Sequence, residues 1–229
     1  MRSVFKLASA AVSALCFAGA LSNANADDSA LWTGCYLGAN GGYAWGHDNL
    51  NSGFDDGYLD AKVNVHGGDY GGQAGCDYHF ASNWVVGIQG SDDFASLSGH
   101  ALDEYDADGP NHDAAKITNL GNATLRLGTT PWQADALLYI KGGFAWSHDK
   151  IANDLFFPPT ISAHQDRSGW TIGAGMEWQF AEHWSSFVEY DYYDFGSKVA
   201  AYDEVDDYVY HTGVTQSANV AIAGVNFRL

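Results

Sequence analysis

Histidine followed by aspartate occurs twice in the same local frame. "NGGYAWGHDN" covers Asn40 to Asn49, and "KGGFAWSHDK" covers Lys141 to Lys150, 101 residues later. Imidazole and carboxylate both ligate Zn²⁺ and other divalent ions, so His47, Asp48, His148 and Asp149 are the candidate metal ligands. Seven of the nine histidines (His47, His66, His100, His112, His148, His164 and His211) lie in long acidic stretches, a distribution that also suits haem capture. Against a built site, each His-Asp is only a dipeptide, and the spacings match no compact ligand motif. Nor does the chain carry a G-x-S-x-G, H-E-x-x-H, P-loop or dinucleotide-binding pattern. No enzymatic activity and no cofactor are expected. The repeated octet has a second explanation, namely equivalent positions in a duplicated fold.

The elements that would carry such an octet begin after a leader. Arg2 and Lys6 open the chain, Leu7 to Leu21 is apolar, and Ala24-Asn25-Ala26 supplies an A-x-A cleavage site. Residues 1–26 are therefore expected to be a secretory signal peptide, and 27–229 one domain. Without Arg2 and Lys6, the ten Lys and Arg fall to eight against 28 Asp and Glu, a formal charge near −20. Nucleic acid is excluded as a partner, since its binders present a basic face. Eight Trp and 27 Gly distinguish the chain from a disordered acidic tail.

The periodicity is two. From Trp170, "WTIGAGMEWQF" places Trp170, Ile172, Ala174, Met176, Trp178 and Phe180 on one face, and Thr171, Gly173, Gly175, Glu177 and Gln179 on the other. Comparable stretches lie at 33–46, 69–80, 84–95, 117–128, 136–147, 168–180, 184–194 and 217–229. Short links alternate with long Gly/Asp-rich ones at 47–68, 96–116, 148–167 and 195–216. Eight such strands predict an all-β, antiparallel, up-and-down transmembrane β-barrel, with short turns at one end and long loops at the other. Closure is what lipid demands, because an open edge leaves unpaired backbone groups in hydrocarbon.

The octets belong to a larger repeat. "GCDYHFASNWVVGIQ" (Gly75 to Gln89) aligns with "GMEWQFAEHWSSFVE" (Gly175 to Glu189), and "NATLRL" (Asn122 to Leu127) resembles "GVNFRL" (Gly224 to Leu229). Strands 1–4 thus repeat as strands 5–8. On this register Asp77, Gln89, Arg126, Lys141, Glu177, Glu189 and Arg228 point inward. Eight strands enclose room only for side chains. An ion-pair and hydrogen-bond network is expected there, in preference to an ion path or a wide pore, because isolated buried charges are very costly. Trp84 and Trp184 flank the short turns, and Trp45, Trp146 and Trp170 mark the opposite strand ends, as two membrane-interface girdles would. Cys35 and Cys76 fall on neighbouring strands and point outward. Either a disulfide or two small lipid-facing residues fits.

"WTGCYLGANGGYAWG" (Trp32 to Gly46), "GWTIGAGMEWQFAEHWSSFVEYDYYDFG" (Gly169 to Gly196) and the ending "AGVNFRL" resemble alphaproteobacterial outer-membrane immunogenic proteins. These are porin-like eight-stranded barrels similar in fold to the OmpA transmembrane domain. The resemblance covers nearly all of 27–229. It implies a bacterial outer-membrane location, envelope integrity with surface exposure, and lipid, lipopolysaccharide and the barrel assembly machinery as partners. It also leaves two alternatives: a surface receptor for divalent metal or haem, or a narrow porin-like channel. Any extracellular ligand is unspecified. Cys35 stands where the family usually has an aromatic, and Leu229 replaces the usual terminal aromatic. Mass spectrometry of the exported protein should give an N-terminus at Asp27; retention of residues 1–26 would refute the leader assignment.

Overall fold

A sheet with one apolar and one polar face needs different surroundings on its two sides. In the computed structural model, eight antiparallel strands meet that need by closing into a barrel. They are β1 (Gly34–Phe54), β2 (Gly57–Ala81), β3 (Trp84–Leu102), β4 (His112–Thr129), β5 (Ala136–Asn153), β6 (Ile161–Ala181), β7 (Trp184–Ala201) and β8 (His211–Arg228). The structure describes residues 31–54, 57–81, 83–102, 112–131, 135–153, 161–201 and 211–229; the expected leader lies outside them. Every strand pairs with its neighbours in chain order, and β1 meets β8 with Leu37 opposite Phe227. Number, order and direction are those expected from the alternation.

The strands run further than the alternation marks. β1 and β2 stay paired from Gly34↔Asp77 to Phe54↔Gly57, so most of 47–68 is hairpin rather than loop. A span of hydrocarbon takes about ten residues of tilted strand, whereas β2 has 25. Backbone pairing continues beyond the spanning part without needing an apolar face. The Gly/Asp-rich sequence there hides it.

Burial follows parity along β6 and β7. On β6, Thr171 and Glu177 are buried, while Trp170, Ile172, Trp178 and Phe180 are exposed. On β7, Ser185, Phe187, Glu189, Asp191 and Tyr193 are all buried. The duplication is also written in the backbone. Tyr36 faces Gly75 across β1–β2, and Tyr139 faces Gly175 across β5–β6. Register shifts at His79/Ala81 and Phe94/Leu97 recur at Gln179/Ala181 and Asp194/Ser197, each 100 residues later. At the last of these Gly196 has φ +65°, a conformation other residues adopt only with strain, and its N–H donates to Asp194 Oδ1 at 2.8 Å.

Apolar side chains cluster at two levels of the interior. Trp32, just ahead of β1, turns inside at the short-link end and packs with Val85, Leu137 and Tyr139. Towards the other end, Val65, Leu97, Leu120, Tyr193, Phe195 and Val220 form a second layer. Between them the lumen is polar. It has space for large side chains because glycines face them: a Cβ on Gly175 would lie 2.5 Å from the Tyr139 ring, and one on Gly75 would lie 2.5 Å from the Tyr36 hydroxyl. Gly175→Ala should therefore lower stability by about 1–3 kcal/mol, read from urea unfolding of folded protein in lipid vesicles. An unchanged midpoint would mean that the ring is not confined.

Candidate functional site in the barrel interior

Inward parity on eight strands brings together side chains far apart in sequence. Arg126 on β4 is buried, and its Nη2 donates to Glu177 Oε2 on β6 at 2.9 Å. Its Nη1 donates to the Tyr36 hydroxyl on β1 and lies 3.6 Å from Asp77 Oδ2 on β2. Arg228 on β8 reaches Asp77 Oδ2 at 3.2 Å and Glu177 Oε1 at 3.4 Å. Glu177 Oε1 also accepts from Ser185 Oγ at 2.6 Å and from Asn226 Nδ2 at 3.0 Å.

These contacts close a ring across the lumen. The Tyr36 hydroxyl donates to Gln89 Oε1 at 3.0 Å, Gln89 donates to Gln73 Oε1 at 3.1 Å, and Gln73 donates to Asn226 Oδ1 at 2.8 Å. Asn226 then donates to Glu177, which returns to Arg126. The circuit visits β4, β1, β3, β2, β8 and β6. β5 and β7 join through Lys141, whose Nζ lies 2.5 Å from Glu189 Oε1 and 2.9 Å from Asp191 Oδ2. Tyr139 donates to Glu189 Oε2 at 2.8 Å, and its ring lies 3.9 Å from the Arg126 guanidinium carbon. All eight strands are thereby tied through the interior.

The ring has the symmetry of the sequence repeat. Asp77 and Glu177, Gln89 and Glu189, and Arg126 and Arg228 occupy equivalent places in the two halves. The 2.9 Å contact of Arg126 goes to Glu177, the carboxylate of the other half, and the 3.2 Å contact of Arg228 goes to Asp77. Contacts within each half are longer, at 3.6 Å for Arg126–Asp77 and 3.4 Å for Arg228–Glu177. Arg228 Nη1 also donates to the Trp32 carbonyl at 3.4 Å, and its guanidinium carbon lies 5.1 Å from the indole, which ties the apolar layer to the charged one.

Sequence parity names Asp77, Arg126, Lys141, Glu177, Glu189 and Arg228, and the structure brings all six into this interior. Reading along the same strands reaches further members: Tyr36, Tyr139, Asp191 and Asn226 share that inward parity. Buried Arg167 on β6 does too. Trp32 lies ahead of its strand, where alternation gives no direction.

The rim is different. β1 and β5 stand four strands apart in the closed ring, so His47 and His148 rise from opposite sides. His148 Nε2 lies 3.7 Å from Asp166 Oδ1 with both side chains exposed; the side chains of His47, Asp48 and Asp149 lie outside the described ones. Among the described residues no group of three or more His, Cys, Asp or Glu is arranged to hold a metal. Cys35 and Cys76, left open between a disulfide and two separate lipid-facing residues, are joined: they face each other in the β1–β2 register with Cα atoms 3.9 Å apart.

On the outer wall, Trp84, Trp170 and Trp184 are exposed, and Trp45 and Trp146 are half-buried. Trp184 stacks edge-on against Phe227 at 5.1 Å, and Trp170 lies 5.7 Å from Tyr192. A family model described as the outer membrane protein beta-barrel domain matches residues 8–217. The chain belongs to this family.

As an outer-membrane β-barrel protein it has curated relatives of similar length. The chain is 32% identical over 188 residues to the 31 kDa outer-membrane immunogenic protein of Brucella melitensis, covering 75% of this chain and 74% of the relative. An uncharacterized protein of Coxiella burnetii is 29% identical over 230 residues, covering 86% and 85%. Among solved structures, Pseudomonas aeruginosa OprG aligns with TM-score 0.53 at 14% identity, covering 86% of this chain and 96% of its own. AlkL aligns with TM-score 0.52 at 15% identity, covering 91% and 97%. The structural likeness establishes the fold, and the family places the protein in the bacterial outer membrane, with its apolar wall against lipid.

Loss of the shared carboxylate is the sharpest test of the interior. Glu177→Ala leaves Arg126 and Arg228 short of a counter-charge and should cost about 3–5 kcal/mol, measured by unfolding in vesicles. Adding Arg126→Met should recover part of that loss; strict additivity of the two changes would show that the pair is not coupled.

Proposed function

We propose that this outer-membrane barrel is a non-conducting structural protein that supports envelope integrity and presents acidic, immunogenic loops at the cell surface. The carrying observation is the hydrogen-bonded ring through Arg126, Tyr36, Gln89, Gln73, Asn226 and Glu177, which spans the lumen from wall to wall. A path for ions would have to break charge-assisted bonds in a low-dielectric interior, where each is strong. The apolar layers around Trp32 and around Leu97 and Phe195 lie on either side of that ring.

In this reading, the leader 1–26 is removed on export and the assembly machinery inserts the barrel. Trp84 and Trp184 then sit at the periplasmic interface, and Trp45, Trp146 and Trp170 sit beside lipopolysaccharide. Surface immunogenicity draws support from the Brucella relative's name. No catalytic step is assigned. Metal or haem capture by the loops has less support, because among the described residues His148 and Asp166 form an exposed pair with no third ligand beside it.

Planar-bilayer recording tests the proposal. Wild-type protein should give no steady conductance steps, and Arg126→Ala with Glu177→Ala should introduce them if the variant folds. Lys141→Ala with Glu189→Ala gives a second opening independent of the first pair. Steady ohmic steps from the wild type would overturn the packed-interior reading.

A further inference from the structure

Cys35 and Cys76 lie on the lipid-facing wall, not in the lumen or a loop. Both side chains are exposed on the outward parity of β1 and β2. Their neighbours on that wall are apolar: Leu37 follows at the next outward position of β1, Tyr78 on β2, and Ile88 stands opposite Cys76 on β3, each about 60% exposed. Leu37 in turn faces Phe227 across the β1–β8 seam. In the folded protein the sulfurs therefore face lipid near the short-link edge of the wall, where the Cys35 carbonyl accepts from the Leu229 N–H at 2.9 Å.

Disulfides form and break by attack of a thiolate. A thiolate is a bare anion, strongly disfavoured in hydrocarbon, and the water-borne partners of the reaction are excluded from that layer. Neither making nor breaking the bond is then open to an inserted barrel. Yet the two cysteines are joined.

We propose that Cys35 and Cys76 are oxidised in the periplasm, before the barrel enters the membrane, by the disulfide form of a thiol–disulfide oxidoreductase. One cysteine thiolate attacks the oxidant's disulfide, forming a mixed disulfide and releasing one oxidant thiolate. The second cysteine attacks the chain-side sulfur of that mixed disulfide, closing Cys35–Cys76 and releasing the oxidant's second thiolate. The chain loses two electrons and two protons, and the oxidant leaves as its dithiol.

The bond joins residues that are direct partners in the β1–β2 register. A slip of one residue would turn the outward face of a strand into the lumen, and the closed linkage disfavours that slip before lipid can select against it. The first hairpin thus reaches the membrane with its lower end already aligned. Insertion then buries the sulfurs and makes the linkage permanent.

The test uses the full chain carrying Cys16→Ser, which leaves Cys35 and Cys76 as the thiols to count. Cells depleted of the barrel assembly machinery accumulate uninserted chain, and acid quenching followed by a maleimide–polyethylene glycol label reports free thiols on a non-reducing gel. A Cys35→Ser variant marks the single-thiol shift. The accumulated chain should be unlabelled, whereas the same chain in cells lacking the periplasmic thiol oxidant should take two labels. In purified outer membranes, the charged phosphine TCEP should reduce the folded protein at least about tenfold more slowly than the urea-unfolded protein, since exchange depends on access. Free thiols in the accumulated chain with a disulfide only after insertion, thiols in both states, or equal reduction rates would each overturn the proposal.

Discussion

The contact between Arg126 and Glu177 cannot form within either half of the chain. It joins β4 to β6 across the lumen, and its counterpart, Arg228 with Asp77, joins β8 to β2. A buried guanidinium without a carboxylate costs several kcal/mol, and the shorter contact of each arginine goes to a carboxylate of the other half, so each four-strand half depends on the other for part of its neutralisation. Closure of the sheet is then more than the pairing of β1 with β8. The interior must be completed from both sides at once.

Much of the remaining architecture follows from fitting that network into a narrow tube. Eight strands leave little room, and glycines opposite Tyr36 and Tyr139 supply the space their rings need. Trp32 folds back to cover the charged layer at the short-link end, held by Arg228 through its carbonyl and its ring. Outside, the wall carries the apolar side chains that lipid requires.

How legible this was varies with the physics involved. Alternation has a period of two wherever one face is in lipid and the other in the lumen, so the parity of Glu177, Glu189 and Arg228 and the count of eight strands could be read directly, with the half-chain repeat as independent support. Tyr36 and Tyr139 have the same parity but a side chain that suits either face, so their direction follows from parity and not from residue type. The outer ends of β1 and β2 were hidden because strand pairing beyond the membrane needs no apolar face. Whether Cys35 and Cys76 join depends on register between strands, which alternation within one strand does not report. Trp32 precedes its strand and escapes the pattern altogether. The twin His-Asp steps, chemically the most suggestive residues, turned out to begin equivalent strand continuations on opposite sides of the rim.

The two halves exchange their ion pairs inside the folded barrel. Solid-state NMR on protein in lipid bilayers, with ¹⁵N in the arginine guanidinium groups and ¹³C in the side-chain carboxyls, measures those contacts directly. Dipolar transfer should appear from Arg126 to Glu177 and from Arg228 to Asp77, with both guanidinium groups rigid. Mobile guanidinium groups that exchange with water and show no transfer to either carboxyl would contradict the cross-half pairing.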